Sequence, residues 1–232
     1  MMGQLDKKVL DHGFIGLVNC MGDDTSIVRS ARVSYGNDNG TMMTEKDEKL
    51  IHYLLANGHN TPFESVEVQF EVKAPIFVVR QWHRHRTQSY NEVSARYTEL
   101  PEEYYLPNLE VMGVQSKSSK QSRDLVTTPL QAEQHRRARV SMDTHNQEAF
   151  KLYRNLLSQG VPRELARTVL PLGTYTRFYA KANLNNWFRF LSERTHPHAQ
   201  YEIRVYAEAI CEMLKVLVPI AYAAWEQNAK KV

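Results

Sequence analysis

Cysteine is nearly absent from this chain of 232 residues: Cys20 and Cys211 stand far apart, and neither sits in a CxxC pair. That sets aside a disulfide framework and a zinc ribbon. No apolar run approaches the roughly 20 residues of a membrane span. The opening MMGQLDKKVLDHGF has no apolar core of a secretory signal. A cytoplasmic protein with no membrane partner is the expectation. GxGxxG after a strand, GxSxG and HExxH are all missing, so a Rossmann site, a nucleophile elbow and a zincin helix have no support. No metal is expected either, because Arg84 between His83 and His85 would repel a cation. Excess positive charge is small, +3. A duplex-binding domain usually carries a strongly basic stripe, so small anions such as nucleotides are favoured over a nucleic acid polymer.

What is present is the composition of an ordinary globular protein, 42% hydrophobic and 24% charged. Residues 1–232 read as one domain with a polar insertion at about 107–139. DHGFIGLVNCMG reads as a strand and turn, and DDTSIVRSARVSYG as a short helix begun by Asp24 or Thr25. A helix over 44–57 has Thr44 as cap, Leu50, Ile51, Leu54 and Leu55 on one face, and Gly58 as its stop. In SVEVQFEV, Val66, Val68, Phe70 and Val72 alternate with polar residues, the period of a half-buried strand. Pro75 suits the first turn of the next helix. The Ser-rich stretch within 107–129 reads as an insertion or mobile loop. A long helix over 130–158 turns Ala149, Phe150, Tyr153, Leu156 and Leu157 inward. LGTYTRFYAKA reads as a second strand-hairpin element, and the remainder as helices interrupted at Pro219. The pattern predicts an α+β fold without βαβ alternation.

The stretch RQWHRHRTQSYNEVSARY, Arg80 to Tyr97, bunches arginines and histidines beside hydroxyls and amides directly after the apolar APIFVV. Arginine forks bind phosphate and carboxylate bidentately and stack on planar rings. The spacing predicts that Arg84, Arg86 and Arg96 converge if the chain folds back at Ser89-Tyr90-Asn91, with Glu92 and Ser94 among them. A solvated surface loop is the competing reading. A second class of function uses the same arginines in a nucleotide- or RNA-binding module, with Trp82, Tyr90 and Tyr97 as stacking platforms.

Arg84 to Arg96 also fits RHRxxSxNExSxR, the signature that flavin-dependent thymidylate synthases carry. ARVSYG, GHNTPFE, KAPIFVVRQW, GVPRELARTVLP, YTRFYAKAN and SERTHPHAQYEIR resemble blocks of that family in the same order. The resemblance implies a homotetramer built on a helix-flanked antiparallel sheet, with active sites where subunits meet. It implies bound FAD and conversion of dUMP to dTMP, with methylenetetrahydrofolate as one-carbon donor and NADPH as reductant. It places Gln81, Arg84, Glu92, Ser94, Ala95, Arg96, Arg167 and Arg194 against dUMP. It places Thr61, Arg84, His85, Arg86, Glu92 and Asn183 against FAD, with His59 on the folate-facing side.

Arg194 is the implied catalytic residue: a cation at the pyrimidine edge favours the electron-rich, N3-deprotonated ring. Its plain alternative is a helix C-terminal arginine answering the macrodipole. Better-known thymidylate synthases add a cysteine within Pro-Cys-His to the pyrimidine. Here the contexts are Asn-Cys-Met and Ile-Cys-Glu. The chain departs from the family pattern at Asn185, where Arg is common, and at Arg189, where a smaller amide or His is common. Residues four apart share a helix face, so an arginine has moved by one turn. Which of Asn185 and Arg189 contacts FAD stays open. A flavoprotein that has lost methylation is a further reading.

Overall fold

The computed structural model describes residues 6–34, 36, 43–125 and 128–229. Its centre is a five-stranded antiparallel sheet of Lys7–Val9 (β1), Gly13–Met21 (β2), Glu67–Pro75 (β3), Ser89–Glu92 (β4) and Tyr175–Asn183 (β7), in the order β1-β2-β3-β7-β4. Asp24–Val33 (α1), Glu45–Ala56 (α2), Ile76–Trp82 (α3), Leu184–Arg194 (α7), Tyr201–Leu217 (α8) and Pro219–Ala229 (α9) surround it. Leu109–Met112 (α4), a small hairpin of Val114–Gln115 (β5) and Arg123–Asp124 (β6), Pro129–Ser158 (α5) and Arg163–Ala166 (α6) complete the chain. This is the α+β antiparallel architecture expected of the sequence. Among the described residues no helix is long and apolar enough to cross a membrane.

Period-two alternation sets the sheet. Val68, Phe70, Val72 and Ala74 of β3 are fully buried, while Glu67, Gln69, Glu71 and Lys73 face the other way. In β7, Phe178, Ala180 and Ala182 do the same. Helices α7 and α8 lay Trp187, Phe190, Ile203, Tyr206 and Ile210 on that apolar face. Burying each such large side chain is worth about 1.5–3 kcal/mol. The Trp187 indole stands edge-on to Phe70, with centroids 5.0 Å apart, and donates its N–H to the Val68 carbonyl at 3.1 Å. A second small cluster, Phe150, Tyr153 and Ala166, joins α5 to α6. The inward residues expected of α5 include both of its aromatics there.

Helix ends follow local chemistry. The Thr44 backbone and hydroxyl both donate to Asp47 at the start of α2, and Gly58 supplies the positive φ of 71° beyond its end. Helix α1 does start at Asp24, but Asp23 is the cap, accepting from the Ser26 N–H at 3.0 Å. Asp24 itself turns inward and accepts from Ile220 N (3.0 Å) and Ala221 N (2.9 Å), capping α9 from 196 residues away in the chain. Pro219 therefore interrupts one helix and begins another.

Two local expectations are corrected. Ser89, Tyr90 and Asn91 do not form a fold-back; they lie extended in β4, paired with Lys181, Ala180 and Tyr179 of β7. The unpaired edge of β7 is the physical reason, since it offers backbone partners that a turn would forgo. The Ser-rich stretch is also not a bare loop. It holds α4 and the β5–β6 hairpin, tied to α8 by an Arg123–Glu202 ion pair at 2.9 Å.

Candidate active site

The Arg84-His85-Arg86 turn is clamped from beneath. Trp82, fully buried at the end of α3, packs its ring beside Phe190 and Phe178 and donates its indole N–H to Gln88 Oε1 at 3.0 Å. The Tyr90 hydroxyl donates to the His85 carbonyl at 2.9 Å and reaches that of Trp82 at 3.2 Å. With both flanks pinned, Arg84 and Arg86 project outward while His85 tucks in against Phe190, 4.7 Å between ring centroids.

Arg194, the last residue of α7, donates its Nε–H to His85 Nε2 at 2.9 Å. The Glu193 carboxylate stands 3.8 Å from both His85 Nε2 and Arg194 Nη2. Burial, reinforced by the Arg194 and Arg189 charges, lowers the His85 pKa to about 4, with Glu193 opposing. His85 is thus a neutral acceptor at pH 7. One turn of α7 away, Arg189 and Asn185 line a cavity of about 340 Å³ with Asn60, Phe63, Glu193 and Trp225. Thr61 opens the 3₁₀ turn Thr61–Ser65 directly after Asn60. Asn183 caps α7, its Oδ1 accepting from Asn186 N at 2.9 Å. His59 is exposed, its backbone N–H bonded to the Leu54 carbonyl at 2.8 Å and its ring stacked on Tyr53.

The other half of the signature lies at the far end of β4. Glu92 Oε1 accepts from the Thr176 hydroxyl at 2.7 Å. The Ser94 carbonyl anchors the next turn by accepting from Tyr97 N and Thr98 N, and its Oγ accepts from Arg96 N at 3.3 Å. Ala95 is buried at that turn. Arg96 pairs with Glu164 of α6 at 3.2 Å, which brings it to the surface of Arg167. Four strand residues separate the two groups, a span of roughly 13 Å. The cavity that Arg189 and Asn185 line includes none of Arg84, Arg96, Arg167 and Arg194. Among the described residues, the side chains of Arg84, Arg86, Arg167 and Arg189 make no hydrogen bond or ion pair. They stand as unneutralised forks.

Gln81 donates its Nε2 to Gln200 Oε1 at 2.5 Å, and Gln200 Nε2 donates to Glu202 Oε2 at 2.8 Å. The sequence reading missed Gln200 and Glu202. The available signal was an acidic residue at a core position of α8, in register with Tyr206, Ile210 and Met213.

Residues 16–220 match the family described as thymidylate synthase complementing protein. A flavin-dependent thymidylate synthase of Thermus thermophilus is 50% identical over 228 residues, covering 98% of this chain and 81% of that protein. The chain belongs to the flavin-dependent thymidylate synthase family. The enzyme of that name from Rickettsia bellii is 45% identical over 232 residues, 95% of this chain and 78% of its own length. Among solved structures, the UMP/dUMP methylase PolB from Streptomyces cacaoi, bound with 5-Br dUMP, superposes with a TM-score of 0.85. It is 33% identical and covers 95% of this chain and 97% of its own. The flavin-dependent thymidylate synthase signature thus occupies the clamped turn after α3, then β4 and the turn beyond it.

Proposed function

We propose that the chain is an FAD-dependent thymidylate synthase that converts dUMP to dTMP, taking a one-carbon unit from methylenetetrahydrofolate and reducing equivalents from NADPH. The observation that carries this reading is the meeting of two segments that resemble the family, Arg194 of SERTHPHAQYEIR on His85 of the signature, beside unneutralised arginines. The donor set suits FAD: among the described residues Arg84, Arg86 and Arg189 are forks with no protein anion to satisfy them, and a pyrophosphate supplies that anion. Bound FAD provides the hydride store through which NADPH reduces the transferred carbon.

The chain's own residues do the rest. Neutral His85 accepts the Arg194 Nε–H and so fixes the plane of the guanidinium, leaving its remaining N–H groups for the pyrimidine edge. A fixed cation there stabilises the ring anion without reorganisation. Arg96, Arg167, Ser94 and the Ala95 backbone form the anchoring set for the nucleotide, with Glu92 and Gln81 as polar contacts. Thr61, Asn183 and Asn185 give FAD neutral partners, and His59 stands on the folate-facing side. Neither thiol is suited to attack: burial pushes Cys211 up to about 11, and burial followed by the Asp23 charge raises Cys20.

The same reading includes a homotetramer with sites completed between subunits. Tyr97, next to Arg96, and Leu165, two residues before Arg167, are exposed, and apolar groups of that size on a surface suit a symmetric interface. An RNA-binding module fits less well, because only one of its three stacking platforms is available: Tyr97 is exposed, but Trp82 is fully buried and Tyr90 is half-buried with its hydroxyl tied to backbone. The test is anaerobic turnover of purified, FAD-loaded protein with dUMP, methylenetetrahydrofolate and NADPH. Formation of dTMP that depends on all three is expected. Bound flavin without any dTMP would leave a flavoprotein that has lost methylation.

A further inference from the structure

Glu202 is an ionisable side chain in an apolar register, 2% exposed, on the face of α8 that carries Tyr206, Ile210 and Met213 into the core. A buried carboxylate is costly unless donors surround it. Three converge here: Tyr105 OH at 3.1 Å and Arg123 Nη2 at 2.9 Å on Oε1, and Gln200 Nε2 at 2.8 Å on Oε2. Burial, followed by the Glu202 charge, pushes the Tyr105 phenol up, so it remains a donor.

An amide side chain has a donor end and an acceptor end of nearly equal shape, and its direction is set by its partners. An ionised carboxylate only accepts. Glu202 therefore compels Gln200 to face it with nitrogen. The Gln200 oxygen is then turned to Gln81, and Gln81 must answer with its own nitrogen, at 2.5 Å. One charge dictates the direction of two successive amides, and the Gln81 carbonyl oxygen is left for other partners.

We propose that Glu202 is a positioning residue that, through Gln200, holds the Gln81 carbonyl oxygen toward the substrate to accept a hydrogen bond from the nucleotide. The inference rests on the reading of Gln81 as a dUMP contact. Two donors of dUMP as it binds satisfy it, the 3′-hydroxyl and the N3–H of the neutral ring, the latter only before the ring anion that Arg194 stabilises forms. A mere tether between the β5–β6 hairpin and α8 through Arg123 would make no demand on amide direction.

Calorimetric titration of the FAD-loaded protein with dUMP, with N3-methyl-dUMP and with the nucleotide lacking its 3′-hydroxyl separates these uses. The wild type is expected to bind one analogue about tenfold more weakly than dUMP, the worth of one hydrogen bond. Glu202→Gln removes the charge while keeping the shape. It should bind dUMP about tenfold more weakly and lose its discrimination against that analogue. Gln200→Leu, at an exposed position, should do the same, and it decides alone if Glu202→Gln does not fold. The analogue that is discriminated identifies the donor. Wild-type discrimination persisting in folded Glu202→Gln and Gln200→Leu overturns the proposal, as does a wild type indifferent to both analogues. Gln81→Ala tells the two failures apart. If it weakens dUMP while the other variants do not, only the positioning role falls. If it leaves dUMP affinity unchanged, the assignment of Gln81 to the substrate falls and the positioning role with it.

Discussion

Arg194 Nε lies 2.9 Å from His85 Nε2, joining the C-terminal end of α7 to the turn after α3 across 109 residues of sequence. The contact makes His85 an acceptor, and burial, reinforced by the Arg194 charge, holds it neutral with a pKa of about 4. Arg194→Ala should keep flavin bound and lower turnover by about a hundredfold or more, the scale for removing a fixed electrostatic donor. The His85 pKa should move up toward 6.5 in that variant, remaining below it because burial is the larger cause. Histidine NMR titration reads this directly. An unmoved pKa would show that Arg194 does not control the ring. The linked sign is definite: with its folded pKa depressed, His85 contributes nothing unfavourable above pH 6.5, and stability is lost as pH falls from there toward 4.

Asp24 tests the long-range cap. Asp24→Ala leaves the Ile220 and Ala221 N–H groups without their carboxylate and should cost about 1–2 kcal/mol in urea unfolding. Asp24→Asn retains one acceptor and should cost less. Equal losses for both variants would mean that charge, and not acceptor geometry, holds α9.

Much of this was legible in the residues. The alternation in β3, the Thr44 cap and the inward face of α5 are local signals, and each reappears in the fold. Asp24 capping α9 was not, because the partner segments are 196 residues apart in the chain and nothing in DDTSIV distinguishes a cap from a buried acceptor. The β4 pairing was obscured by the same polar residues that mark the site, since SYNE has no apolar alternation to show. The signature pointed to the arginines as a group, and Arg84 and Arg86 do stand without a side-chain partner among the described residues. It did not say that β4 would divide them into two surface regions, a property of sheet register that spacing alone does not carry.

Thiol chemistry is tested by Cys20→Ser combined with Cys211→Ser. Cys211 lines a cavity with Tyr222 and Trp225, and none of the described hydrogen bonds joins it to Arg194 or His85. The double variant should retain turnover within about twofold, the range of a surface-like change that disturbs no named mechanism. A folded but inactive double variant would restore covalent catalysis as the better account.

Arg189 and Asn185 line the same cavity, so FAD affinity distinguishes them. Arg189 makes no ion pair among the described residues and presents the stronger anion fork. Arg189→Ala should weaken FAD about tenfold or more, with a loss that shrinks at high salt. Asn185→Ala should have the smaller, salt-independent effect. The reverse ranking would assign the cofactor contact to Asn185.

The most direct test of the central claim is a crystal structure of the protein with FAD and dUMP bound. The account predicts the nucleotide against Arg194, with Arg96 and Arg167 on its phosphate side, FAD among Arg84, Arg86 and Arg189, and a second subunit closing the gap that β4 leaves. Either ligand seated away from these guanidinium groups, or both held wholly within one chain without Arg96 and Arg167, would contradict it.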